Sequence, residues 1–279
     1  TAADDYLRLN KNREKRYGFD TVIDSDVGQQ ELYEKTMLPV VPGILEGINT
    51  TVFAYGATGA GKTYTMLGTP DEAGLMARTL ACLFEHRTDM SDDKLVNVKC
   101  SFIEVYNETI RDLLVDRPSK GRDTIDLLED PVSGVQVKGV NEMKKLETAE
   151  DIMQCLHDGN RRRTTEPTDA NVVSSRSHAV LFVTCEVRDR VRNVNETYLV
   201  GKLSMIDLAG SERASKTNNH GMRMLEGANI NRSLLALGNC ISALASGSET
   251  SFVPYRDSKL TRLLKHSLGG NCRTVMIAN

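Results

Sequence analysis

The sequence predicts a three-layer α/β domain. Segments patterned as strands alternate with segments patterned as helices along the chain, the signature of a sheet covered by helices. Gly56-Ala57-Thr58-Gly59-Ala60-Gly61-Lys62-Thr63 fits G-x-x-x-x-G-K-[ST], the phosphate-binding P-loop. The motif also sits in its confirming context. Residues 51–55 (TVFAY) are a β-branched and aromatic run that reads as a buried strand, and residues 64–67 can open a helix. The glycines let the backbone turn sharply and aim several N–H groups at one anion, and the helix N-terminus adds partial positive charge. Lys62 can reach the terminal phosphates, and the Thr63 hydroxyl can bind Mg²⁺.

Taken in order, residues 1–16 are polar and charged, a solvated arm or insertion, and 17–23 (YGFDTVI) reads as a short strand. Residues 29–45 carry Leu32, Tyr33, Met37, Val40, Val41 and Ile44 at helical spacing, broken or kinked by Pro39 and Pro42. After the P-loop, 68–74 is turn chemistry, and Leu75, Thr79, Leu80, Leu83 and Phe84 mark another helix. Val96, Val98, Cys100 and Phe102 alternate with polar residues as a strand with one wetter face. Residues 104–114 read as an amphipathic segment, 117–123 as a polar, basic loop and 134–140 as a short strand. Thr148 is an N-cap for a helix through Leu156, closed by Asn160, Arg161, Arg162 and Arg163, cations that suit a helix C-terminus. Strands follow at 180–187 and 199–206. Ile230, Leu234, Leu237, Ile241 and Leu244 then form one stripe of a long helix. A second helix at 258–267 turns Leu260, Leu263 and Leu264 inward and stops at Gly269 and Gly270, before a last strand at 274–278.

The 279 residues suffice for one large domain or two small ones. Hydrophobic residues make up 40% and charged residues 26%, with net charge -3, so overall charge gives no argument for nucleic acid or an anionic membrane. Any electrostatic partner must meet a local patch. The six cysteines show no C-x-x-C pairing and lie mostly in apolar runs, which reads as free thiols in a reducing compartment. No apolar stretch approaches bilayer length, and no signal-peptide pattern opens the sequence.

Two further stretches carry chemistry. Asp207-Leu208-Ala209-Gly210 follows the 199–206 strand, where a P-loop enzyme keeps its second magnesium ligand. Gly210 leaves its N–H open to close approach by a γ-phosphate. Alone, this run is equally an ordinary strand-to-turn Asp-Gly pair. Asn171-Val172-Val173-Ser174-Ser175-Arg176-Ser177-His178 clusters hydroxyls, an amide, a guanidinium and an imidazole. Such a loop can ligate magnesium and position water without an acidic base; alone, it is equally a polar turn.

Together, 56–63, 171–178 and 207–212 (DLAGSE) resemble the P-loop, switch I and switch II of the kinesin motor domain. The runs 229–239 (NINRSLLALGN) and 254–264 (PYRDSKLTRLL) resemble further hallmarks of that family, and the likeness covers essentially the whole chain. Pro167-Thr168-Asp169 and 226–232 (EGANINR) look most like the kinesin-8 group. The resemblance implies a P-loop NTPase fold whose central, mixed but mostly parallel sheet is flanked by helices on both faces. It implies ATP/ADP and Mg²⁺ as ligands. Gly56, Ala57, Thr58, Gly59, Ala60, Gly61, Lys62, Thr63 and Tyr64 would bind the nucleotide. Thr63 and Ser175 would approach Mg²⁺, with Asp207 acting through its water shell, and Asn171 and Ser174 would lie near the γ-phosphate and attacking water. Gly210 would donate to the γ-phosphate, and Arg176 and Glu212 would pair to close the site.

The same resemblance implies a microtubule partner and ATPase activity that the track stimulates. Lys216 and Arg223, between switch II and the long helix, would face the track. So would Arg256, Lys259, Arg262 and Lys265, several at i, i+3 or i+4 spacing, and more weakly Lys138, Lys144 and Lys145. By themselves such stripes are ordinarily solvated basic faces. Plus-end-directed walking, depolymerisation of microtubule ends and a cytoplasmic, cytoskeletal location extending to the spindle are further expectations. No nucleic acid or membrane is expected as a partner, and a homodimer is expected through regions outside this chain. The family's first-strand Arg-x-Arg-Pro stretch has no match, and residues 1–279 read as a motor domain without its first strand, last helix and neck linker. Two alternatives stand beside this reading. A P-loop GTPase switch would need an Asn-Lys-x-Asp run, which is absent, and a non-motile microtubule-binding relative would need no intact Lys62, Thr63, Ser175, Arg176, Asp207, Gly210 and Glu212.

Because the Arg176–Glu212 pair is expected to close the site around the γ-phosphate, Glu212→Ala should slow hydrolysis far more than nucleotide binding. Single-turnover hydrolysis set beside nucleotide affinity checks this, and normal turnover in the variant would contradict it.

Overall fold

A computed structural model of the chain describes residues 17–115, 125–130, 134–164, 176–190, 198–212, 222–246 and 252–279. Two helices come first, α1 (Gln29–Thr36) and α2 (Val41–Leu45). The break between them contains Pro39, and Pro42 takes up the first turn of α2, where a missing N–H costs nothing. The expected strand at 17–23 does not form. Tyr17, Phe19 and Val22 are exposed, and no described strand lies beside them to complete a ladder.

Next come β1 (Asn49–Tyr55), α3 (Lys62–Leu67), α4 (Leu75–Asp89), β2 (Lys94–Tyr106) and β3 (Thr109–Asp112). The amphipathic segment expected at 104–114 is therefore a hairpin. Asn107 and Glu108 take left-handed φ of 50° and 58°, and Tyr106 pairs with Thr109 across a two-residue turn. Strand alternation decides it. Ile103, Val105 and Ile110 fill one core while Phe102 and Leu113 fill the other, a division with a two-residue period.

The hairpin β4 (Asp126–Asp130) and β5 (Gly134–Lys138) stands apart from the main sheet, followed by β6 (Met143–Lys144) and α5 (Ala149–Thr164). Thr148 caps α5 as expected. Its hydroxyl accepts from Asp151 N at 3.2 Å, and Asp151 Oδ2 accepts from Glu147 N and Thr148 N, both at 3.0 Å. The remaining elements are β7 (His178–Asp189), β8 (Leu199–Asp207), α6 (Met222–Ala245), a 3₁₀ turn (Tyr255–Asp257), α7 (Lys259–Leu263), α8 (Lys265–Gly269) and β9 (Cys272–Ala278). The single helix expected at 258–267 is thus two short ones meeting at Leu264, with Ser258 and Thr261 forming a reciprocal cap.

The main sheet runs β3-β2-β7-β8-β1-β9, with β6 on β2. β1, β2, β8 and β9 point one way and β7 the other, so the sheet is mixed and most long strands are codirectional. Its two faces are covered separately. Val52, Ala54, Leu203 and Met205 pack with Ile44, Met66, Leu80, Leu83 and Ile152 from α2 to α5. Phe53, Val180 and Ile206 pack with Leu234, Leu237, Leu260 and Leu264 from α6, α7 and the residue that closes α7. This is the expected three-layer arrangement. Of the expected α6 stripe, Leu234 and Leu237 are buried and Ile241 packs against them, whereas Leu244 is 36% exposed. The six cysteines are free thiols, four of them buried.

One close approach fixes α2 on the sheet. A Cβ at Gly201 in β8 would stand 1.8 Å from the backbone oxygen of Ile44, which cannot move without unwinding α2. Gly201→Ala should therefore cost about 3 kcal/mol of stability, measured by urea unfolding; an unchanged midpoint would contradict the packing described.

Candidate functional site

The site exists because β1 and β8 are parallel neighbours with Ala54 opposite Asp207. The loops that leave their C-terminal ends must run side by side. Residues 56–61 make the turn from β1 to α3, with Gly59 and Gly61 at φ of 81° and 96°, conformations that L side chains rarely adopt. Across the gap, the 207–212 turn is tied to this loop three times. Ser211 N donates to Gly56 O at 3.0 Å. Thr63 Oγ1 donates to Asp207 Oδ2 at 2.9 Å. The Glu212 carboxylate accepts from Thr58 N at 2.8 Å and from the Thr58 hydroxyl. A Cβ at Gly210 would meet Thr58 Oγ1 at 2.2 Å and Glu212 Oε2 at 2.3 Å, so a larger residue there would displace the Thr58–Glu212 pair.

Charge in this pocket is internally matched. Lys62 is buried, and its Nζ donates to Gly56 O at 3.0 Å and Ala57 O at 2.8 Å. Burial lowers its pKa, while Asp207 and Glu212 pull it back up. Burial likewise raises the Asp207 carboxyl, opposed by Arg163, the Thr63 hydroxyl and Lys62. At Glu212 burial pushes upward, but the Thr58 hydroxyl and amide win and hold the carboxyl below its usual range.

Arg163 is the functional residue that the sequence reading missed. It is buried in the last turn of α5. Its Nε donates to Ser177 Oγ at 2.9 Å and its Nη2 to Ser177 O at 2.6 Å. Its Nε also lies 3.5 Å from Glu104 Oε1, and its Nη1 3.7 Å from Asp207 Oδ2. One guanidinium thus serves two buried carboxylates and the segment entering β7. A signal was present: Ile152, Leu156, Gly159 and Arg163 step by four, three and four, which puts Arg163 on the buried face rather than among solvated cations.

His178 is also buried. Its Nδ1 accepts from Ala209 N at 3.1 Å, and its Nε2 pairs with Ser233 Oγ at 2.8 Å. Burial first, and the Arg163 charge second, push its pKa down to about 3.

Of the other residues singled out from sequence, Asn171, Ser174, Ser175 and Lys216 lie outside the described residues, as does the side chain of Arg223. Arg176 is half-buried just before β7. Tyr64 is half-exposed, and its hydroxyl donates to Glu72 Oε2 at 2.7 Å. Lys138 is exposed at the end of β5. Arg256, Lys259, Arg262 and Lys265 do share one face, and they share acids too. Lys259 Nζ lies 2.9 Å from Asp126, while Arg256, Arg262 and Lys265 approach Glu129 at 3.4, 3.8 and 3.6 Å. Hydrogen bonds from Lys259 and Arg256 hold these two carboxyls below their usual range. Four cations over these two carboxylates and Glu108, which accepts from Lys259 N at 2.8 Å, leave this face positive.

Residues 2–279 match the family described as the kinesin motor domain. The chain is 55% identical over 277 residues to the kinesin-like protein KIF19 of Xenopus laevis, covering 99% of this chain and 27% of that protein. It is 48% identical over 272 residues to the kinesin-like protein KIP3 of Saccharomyces cerevisiae, covering 97% of this chain and 33% of that one. With the kinesin-like protein KIN-8A of Arabidopsis thaliana it shares 50% over 279 residues, which are 100% of this chain and 37% of the relative. The chain thus spans between 27% and 37% of the length of these relatives. Among solved structures, a fast kinesin superposes with a TM-score of 0.83 at 39% identity, over 94% of this chain and 73% of that one. KIF14 with ADP in complex with a microtubule gives 0.81 at 40%, over 94% and 74%.

The depressed value at His178 has a sign and a size. An unfolded histidine takes up a proton near pH 6.5, whereas the folded one does so only near 3. Stability from this group is present above 6.5 and is lost as pH falls toward 3, about 2 kcal/mol of it by pH 5. Urea unfolding at pH 7 and pH 5 measures the loss. His178→Gln should lose about 2 kcal/mol less than wild type over that interval, and equal losses would contradict the assignment.

Proposed function

Because the chain belongs to the kinesin motor-domain family, with its similarity running to the kinesin-8 group, we propose that it is a microtubule-stimulated ATPase whose switch movements generate force along microtubules. The observation that carries this is the triple tie between the P-loop and the 207–212 turn. A phosphate entering the loop meets groups that already hold the turn, so binding and movement are one event.

The residues present suit a triphosphate with its metal. Thr63 and Asp207 bring two hard oxygen donors within 2.9 Å of each other, a pair that suits Mg²⁺ and leaves its other positions to phosphate and water. Ser175 joins them in the family's pattern. When bound, Mg²⁺ neutralises charge on the phosphate oxygens. Lys62 and the amides of 56–63 hold the phosphates, Tyr64 continues the nucleotide site, and Gly210 offers its N–H to the γ-phosphate. Asn171 and Ser174 position the attacking water. Glu212, already held by the amide and hydroxyl of Thr58, would pair with Arg176 when the site closes. The positive face formed by Arg256, Lys259, Arg262 and Lys265, extended by Lys138, Lys216 and Arg223, docks on acidic tubulin. A cytoskeletal location follows, with depolymerisation of microtubule ends and action on the spindle as further parts of the proposal. Dimerisation is assigned to regions outside these residues.

Steady-state ATP turnover with and without taxol-stabilised microtubules tests this in the intact protein. Stimulation on the order of tenfold or more is expected, and Lys62→Ala should abolish turnover in both arms. Absence of stimulation while ATP and microtubules both bind would replace the motor by a non-motile microtubule-binding protein.

A further inference from the structure

His178 joins three segments that the mechanism otherwise treats separately. Its backbone opens β7, paired there with Val105 of β2, and from Ala179 onward β7 is held between β2 and β8. Its Nδ1 holds the amide of Ala209 in the 207–212 turn, and its Nε2 holds the hydroxyl of Ser233 on α6. A backbone N–H can only donate, so Nδ1 carries no proton. The neutral ring therefore keeps its proton on Nε2 and donates it to Ser233 Oγ. The tautomer is fixed by chemistry, and the ring is a rigid strut with a fixed pivot and two loaded ends.

We propose that the His178–Ser233 pair is a crossbridge that carries movement of the 207–212 turn into helix α6, which makes both of them positioning residues. The proposal rests on the reading above only in requiring that nucleotide move the turn. Ala209 is the residue before Gly210, so a shift of Gly210 toward a phosphate drags the Ala209 amide with it. A displacement of about 1 Å takes the 3.1 Å bond past hydrogen-bonding range unless the ring turns. Since β7 holds the ring's base, turning swings Nε2, and Ser233 must follow or leave the buried Nε2–H of His178 without its acceptor, which is costly. Leu208, Leu234 and Leu237 also belong to one apolar cluster that joins turn to helix, but such packing is non-directional and tolerates sliding. The crossbridge supplies direction.

Hydrogen exchange of the 222–245 peptide in the intact protein, compared between ADP and AMP-PNP, tests this. Wild type should show a nucleotide-dependent difference. Ser233→Ala should lose at least half of it, about a twofold reduction or more, while binding both nucleotides about as tightly as wild type, and Ser233→Thr, which keeps the hydroxyl, should restore it. A wild-type helix that does not distinguish the two nucleotides, or an unchanged difference in Ser233→Ala, would overturn the crossbridge. Nitrogen-15 spectra of the wild-type histidines need no variant, and a proton on His178 Nδ1 would overturn it as well. Microtubule stimulation separates the two claims. If stimulation is absent while exchange in 222–245 responds to nucleotide and Ser233→Ala abolishes that response, the motor reading falls and the crossbridge stands.

Discussion

Everything in this molecule hangs on the parallel pairing of β1 with β8, which sets Ala54 opposite Asp207. Two loops that are about 150 residues apart in sequence leave the sheet at one edge because of it. The pairing brings a buried carboxylate to the end of β8, an expensive group to remove from water. The surroundings answer that cost with Arg163, Thr63 and Lys62. Arg163 is shared with Glu104 and Ser177, so β2, β7, β8 and α5 all contribute to keeping one charge in place. A buried ion pair of this kind adds little net stability when complete but costs several kcal/mol when one partner is taken away. Its value lies in fixing the geometry where the segments meet.

The P-loop is held by its own protein in the way it would hold a ligand. The Glu212 carboxylate sits on the amide of Thr58, and Lys62 Nζ sits on the carbonyls of Gly56 and Ala57. The Lys62 ammonium and the Thr58 amide thus already hold protein acceptors whose places a triphosphate would take. On the proposed function, nucleotide binding would be a substitution, with part of the free energy released by the phosphates spent in freeing Glu212 and so coupled to movement of the turn. His178 and Ser233 extend the same logic away from the nucleotide, toward the helix whose neighbours α7 and α8 carry the basic face.

The parts legible in the sequence were those with local causes. The P-loop needed its glycines, Thr148 and Asp151 announced a helix start three residues apart, apolar runs placed β1, β7 and β8, and the period of the apolar residues placed α6. What was missed had causes elsewhere in the chain. The 104–114 segment is a hairpin because two different cores claim its alternate residues, so its two-residue period does not show in the sequence as apolar and polar alternation. Arg163 looked like one of three helix-ending cations until Glu104 and Asp207 were brought beside it by the sheet. The cations of α7 and α8 looked like a free stripe, while Asp126 and Glu129 arrive from a hairpin more than 120 residues earlier. Several residues assigned from the family's motifs, Asn171, Ser174 and Ser175 among them, rest on resemblance and lie outside the described residues.

The most direct test of the account is a crystal structure of the protein with Mg²⁺ and AMP-PNP, read at Thr58. The account predicts that Glu212 has left the Thr58 amide and that Lys62 has exchanged the Gly56 and Ala57 carbonyls for phosphate oxygens, since two anions cannot share one donor. An analogue seated in the P-loop with both Glu212–Thr58 hydrogen bonds intact would contradict it, and would separate nucleotide occupancy from movement of the turn.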